Sequence, residues 1–217
     1  VFMKTNWPLL YRNGVSPVWS IHISDSLNNI EEIKTDIQAI KYLVKNGDNH
    51  RAHVLASAVA LKYPDNPDVL NLLAAQKFRL GPKKFAKRIF ESVLDEYPDN
   101  SNALNGLAVL LWTEGNKKDA IDLGRKAAES DSKNLDVIFN LAKMLAETGN
   151  LEESSSYLHR VIQLEPERLD ALKLLCSIMI KTGKAHEADD ILAILKIKSS
   201  NDKEVNQLQE MFVCLKN

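Results

Sequence analysis

Cysteine is nearly missing from this chain of 217 residues, with Cys176 and Cys214 the only two. They fall on different helical segments and suggest no disulfide framework, which fits a reducing, cytoplasmic compartment. No run of about 18 apolar residues occurs, so no membrane span is expected. Charge of one sign is missing too: 28 basic residues stand against 29 acidic ones, a net charge of −1, and nothing pulls the chain in bulk toward nucleic acid or anionic lipid. The chain has no phosphate-cradling glycine loop, no serine or cysteine nucleophile with a placed histidine, and no carboxylate pair that helices would converge. Neither catalysis nor a cofactor is expected. His50 and His53 lie three apart on one helix without a third ligand nearby, so no metal is expected and both read as solvated surface.

The chain has only 8 glycines and 7 prolines, and they keep time. Gly47, Gly81, Gly115, Gly149 and Gly183 each follow the last by 34 residues, and Pro64, Pro98, Ser132 and Pro166 hold the same beat half a period later. Tyr63-Pro64-Asp65-Asn66 returns letter for letter at Tyr97-Pro98-Asp99-Asn100. One period, Ser101 to Asn134, reads as a helical hairpin. Leu104, Leu107, Ala108 and Leu111 share one helical face, Glu114-Gly115-Asn116 breaks the pattern, and Ala120, Ile121, Leu123, Ala127 and Ala128 resume it. Gly115 supplies the left-handed residue that closes a helix. A fixed period of this length marks a repeat array, in which each hairpin buries its apolar face on its neighbours.

With Ile40, Ala74, Ala108, Ala142 and Cys176 at one repeat position, and Ala52, Ala86, Ala120, Ser154 and Ala188 at another where small residues are usual, the chain resembles the tetratricopeptide repeat family. The likeness runs from Ile33 to Asp202 and implies an all-α solenoid of about five helical hairpins: 33–66, 67–100, 101–134, 135–168 and 169–202. It departs from the family pattern at Asp36, where a large apolar residue is usual, at Gly124, where an aromatic is usual, and at Ser200, where proline is usual. Gly124 predicts a soft spot, because a mid-helix glycine costs about 1 kcal/mol against alanine. Cys176 then reads as a small packing residue, and Lys83, Lys84, Lys87 and Arg88 as a solvated basic face. The Ser154-Ser155-Ser156 run falls inside a helix.

Outside the repeats, 1–29 is an extension rich in Trp7, Leu9, Leu10, Tyr11, Trp19 and Ile21, too apolar for a disordered tail. Asp25 or Ser26 would cap a helix running to about Asn46. Its stripe of Ile30, Ile33, Ile37, Ile40 and Val44 is turned toward the expected concave side. Residues 203–217 read as a terminal helix covering the open end of the array, although Met211-Phe212-Val213 is apolar beyond one stripe. The extension or this helix could meet a second copy of the chain. The start Val1-Phe2-Met3 looks internal; a removed upstream segment would place the protein in the periplasm or on a membrane.

The resemblance implies a groove lined by first helices, with Asn71, Phe78, Arg79, Asn105, Trp112, Phe139, Asn140, Lys143 and Lys173 as candidate peptide-binding residues. Asparagine offers both donor and acceptor to a peptide backbone, and flat aromatics suit binding hot spots. Lys34, Lys41, Lys45, Arg79, Lys143, Lys173 and Lys181 outnumber Asp68, Asp136, Glu147 and Asp170 at groove positions, which favours a neutral to acidic protein or peptide ligand. No three consecutive repeats reproduce the two-carboxylate clamp some family members use for chaperone tails. The expected function is a non-catalytic scaffold within a secretion, pilus, envelope or regulatory assembly; the alternative is the substrate-presenting part of a larger glycosyltransferase or methyltransferase. If Trp7 to Ile23 folds back on the first helix, deleting residues 1–23 lowers the melting temperature, and an unchanged value in a monomer excludes that cap.

Overall fold

A computed structural model describes residues 23–199 and 201–216, which form eleven α-helices and, among the described residues, no strand. Trp7 to His22 lie outside the described residues, and so does the fold-back expected of them. The helices are α1 (Ile23–Lys45), α2 (Asn49–Lys62), α3 (Pro67–Leu80), α4 (Lys83–Glu96), α5 (Ser101–Thr113), α6 (Lys117–Ser130), α7 (Leu135–Glu147), α8 (Leu151–Leu164), α9 (Leu169–Lys181), α10 (Ala185–Lys198) and α11 (Lys203–Lys216). From α4 onward every helix starts 34 residues after its counterpart in the preceding pair.

Local chemistry sets these boundaries. Asn66, Asn100 and Asn134 sit just ahead of α3, α5 and α7, and each side chain accepts from the N–H groups of the first turn. Such a cap contributes about 1 kcal/mol. At the other end Thr113, Thr148 and Thr182 turn their hydroxyls back onto the last carbonyls of α5, α7 and α9. Gly115 then takes φ 88°, and the Asn116 N–H reaches the Leu111 carbonyl at 3.0 Å, the long bond of a Schellman closure. Gly47, Gly149 and Gly183 repeat that geometry. Gly81 does not: its φ of −134° and ψ of −175° are extended, because Pro82 disfavours helical backbone in the residue before it.

The described chain divides, within α4, into two compact units, 1–93 and 94–217. In the first, Ile40 on α1 is fully buried with Ala56, Val59, Ala60 and Tyr63 of the α2 segment and Val69 and Leu73 of α3. Ile33, Ile37 and Val44 pack against the same cluster. The α1 stripe is thus the face that joins α1 to α2 and α3, not one turned toward an open trough, and Ile30 alone stays exposed, at 49 %. The helix also begins at Ile23, ahead of the expected cap. His53 departs from the solvated reading. Its ring is half-buried with Nδ1 enclosed, and burial, then the Lys77 charge, lower its pKa.

In the second unit α5, α7, α9 and α11 lie side by side in that order, each of the first three with its partner helix against it. One core runs through them, from Leu104 and Ala108 through Ile138, Leu141 and Leu145 to Leu172, Leu192, Val205 and Phe212. The small residues are what let the helices close. Ala108, Ala120, Ala142, Ser154, Cys176 and Ala188 have no exposed surface. The Ser154 hydroxyl donates to the Ala142 carbonyl at 2.6 Å, and the Cys176 thiol points at the Ala188 carbonyl at 3.9 Å. Burial pushes that thiol up to about 11, so it remains protonated and inert. Across the second helices, Arg125 on α6 grips both oxygens of Glu153 on α8, at 3.0 and 2.9 Å.

Gly124 is buried on α6 because α7 is close. A Cβ there would stand 3.1 Å from Leu141 Cδ1, so glycine is a fitting requirement as well as a helix-weakening residue. The helix propensity gained by Gly124→Ala is offset by the shift Leu141 must make, leaving a net change under about 1 kcal/mol. Gly124→Phe, which restores the usual aromatic, costs roughly 2 to 3 kcal/mol from overpacking. Denaturant titration of both variants checks this; a stabilising Gly124→Phe would show that the space exists.

Candidate functional site

α7, α9 and α11 of the second unit line an open cleft of about 630 Å³, within the range of ligand sites. Phe139 and Lys143 of α7, Leu169, Asp170, Lys173, Leu174 and Ser177 of α9, and Glu204, Gln207, Leu208 and Met211 of α11 line it. Three of the nine candidate residues, Phe139, Lys143 and Lys173, therefore share one site. The apolar part is exposed for a reason: Val205, Leu208 and Phe212 are used up holding α11 on the core, which leaves Met211 41 % exposed on the cleft side.

The polar groups are arranged less simply than their sequence positions imply. Lys173 donates to Asp202 at 2.5 Å and to Glu204 at 3.2 Å, and those bonds raise its pKa. Asp202 Oδ1 meanwhile accepts from the Glu204 N–H at 2.8 Å, so one carboxylate ties Lys173 to the start of α11. Arg168, just ahead of α9, reaches Asp136 at 2.8 Å, Asp170 at 3.1 Å and Glu165 at 3.3 Å, with its guanidinium 4.9 Å from the centre of the Phe139 ring. Stacking of this kind fixes the ring. Lys143 has no ionic partner among the described residues.

Asn105 and Asn140 face each other, the Asn140 amide donating to the Asn105 carbonyl at 3.2 Å. Trp112 is half-buried on the same core, with the Lys117 ammonium 5.2 Å from its ring centre. The remaining three candidates belong to the first unit. Asn71 is buried, at 7 % exposure, so its amide is enclosed rather than displayed. Phe78 lies under the Lys83 ammonium at 5.6 Å, and Arg79 donates to Asn49 at 3.4 Å.

Sequence reasoning missed Arg168 and the α11 wall of Glu204, Gln207 and Met211. The surplus apolar Met211 was their one visible trace. Of the lysines counted at groove positions, Lys173 is paired with two carboxylates from outside its own helix. Replacing Lys173 by Met leaves Asp202 and Glu204 uncompensated. This costs about 1 to 2 kcal/mol, read as faster hydrogen exchange along α11 with α5 to α8 unchanged; uniform protection would show that the ion pair does not hold the wall.

Residues 86–134 match the model of the tetratricopeptide repeat family. No curated protein matches the chain by sequence. Among solved structures, a chain of the APC/C hetero-tetramer Cut9–Hcn1 is similar over 82 % of this chain and 35 % of its own, at 15 % identity and a TM-score of 0.71. A thermophilic TPR protein of Thermus thermophilus is similar over 84 % of this chain and 98 % of its own, at 16 % identity and a TM-score of 0.62. YrrB, described as a TPR protein with an unusual peptide-binding site, is similar over 86 % and 96 %, at 17 % identity and a TM-score of 0.57.

Proposed function

We propose that this chain, an all-helical array of tetratricopeptide repeats, is a non-catalytic adaptor that holds a peptide or helix of another protein within a multi-protein assembly. Its repeats are taken as 33–66, 67–100, 101–134, 135–168 and 169–202, with 203–217 as a terminal helix. The fold is one used for protein–protein interaction, and the observation that carries the reading is the cleft of the second unit. There the half-buried Phe139 and the exposed Met211 stand among paired charges. Phe139 packs on the core beneath Arg168, and the exposed Met211 lines the same cleft, so apolar surface is grouped there. Fixed polar groups around such a surface orient what docks on it. The cited likeness to YrrB, whose description names a peptide-binding site, is consistent with this reading.

Trp112 and Asn105 belong to the same row of first helices and are included in the proposed surface. Affinity capture with the wild-type chain, with Trp112→Ala combined with Asn105→Ala, and with Met211→Glu is expected to recover a common protein that both variants bind at least about tenfold less. Equal recovery by all three, with melting curves that show each variant folded, would remove the first-helix surface as the binding face.

A further inference from the structure

The geometry points to a basic partner: the cleft between α7, α9 and α11 takes a peptide segment that carries lysine or arginine beside a large apolar residue. This rests on the peptide-binding reading above and reverses the ligand charge expected from groove positions.

The reason is where the charges face. Arg168 and Lys173 are enclosed, with side chains only 16 % and 15 % exposed. The carboxylates bound to them point outward: Asp136 is 81 % exposed, Asp170 53 % and Glu204 64 %. Each cation is shared, Arg168 among Asp136, Glu165 and Asp170, and Lys173 between Asp202 and Glu204. Neither group of charges is neutral, and acid is in excess in both.

Asp136, Asp170 and Glu204 also succeed one another at the repeat spacing of 34, which sets one carboxylate near the start of each of the three helices. First-turn acids stabilise a helix in their own right, so acidity alone assigns nothing. What assigns the ligand is the position of Asp170 and Glu204 in a cleft whose apolar lining includes Phe139, Leu174 and Met211. An apolar side chain seated there brings a neighbouring cation within reach of carboxylates whose own partners are already shared. Such complementarity governs specificity and association rate. The lining itself carries Lys143 and Lys173 against Asp170 and Glu204; with Arg168 and the remaining partners Asp136, Glu165 and Asp202 counted, five carboxylates stand against three cations.

The test is selection of a randomised displayed-peptide library on the immobilised chain, followed by binding of the selected peptides to variants. Peptides from the wild type are expected to share Lys or Arg next to Leu, Met or Phe and to weaken as ionic strength rises. They should bind at least about tenfold less well to Met211→Glu and to Asp136→Lys combined with Glu204→Lys. Selection repeated on that double variant is expected to yield acidic peptides. Acidic or uncharged peptides that bind the wild type and are lost on Met211→Glu would overturn the charge assignment while leaving the peptide-binding reading in place. No enrichment over the bare support, or enrichment that Met211→Glu does not touch, would overturn both.

Discussion

From α5 to α10 the structure depends on the two helices of a hairpin coming close enough that the side chains at the crossing end in a methyl, hydroxyl or thiol. Ala142 against Ser154 and Cys176 against Ala188 show the contact directly, since in both a small polar atom on one helix points at a backbone carbonyl on the other. Close crossing fixes where the hairpin's outer faces point. Large side chains such as Leu141 and Leu175 then fill the space between hairpins, and the same crossing repeated brings α5, α7, α9 and α11 into one row. The cleft is a product of that repetition.

Upon this frame the polar groups follow a second logic. Three cations of the second unit tie one helical segment to another: Arg125 is bound to Glu153, Arg168 to three carboxylates, Lys173 to two. Cations that bridge helices from enclosed positions fix the helices and leave their partners facing solvent. Around Arg168 and Lys173 the ends of the pairs that face solvent are therefore carboxylates.

Much of the fold was legible because its signals are local. A glycine after an apolar stripe and an asparagine before one mark helix ends whatever the rest of the chain does, and the 34-residue period multiplied that signal. Local rules also explain the exception at Gly81, where the following proline overrides the period. The site was less legible. That Lys173 is neutralised depends on residues 29 and 31 positions away. The fixing of Phe139 by Arg168 depends on a contact between two hairpins. Asn71, Asn105 and Asn140 look equivalent along the chain, but Asn71 is buried and the other two are bonded to each other. Gly124 read as a weakness because the nearness of Leu141 is visible only in three dimensions.

Asp202 serves two purposes at once, with one oxygen on the α11 backbone and the other on Lys173. Starting the last helix and fixing the far wall of the cleft thus rest on one side chain. Acid strong enough to protonate Asp202, whose pKa Lys173 holds below the usual aspartate range, would loosen the first turn of α11, while Val205, Leu208 and Phe212 keep the rest of the helix on the core. The cleft would lose the start of one wall while the core beneath α5 to α8 kept its packing, so this unit loosens from α11 inward.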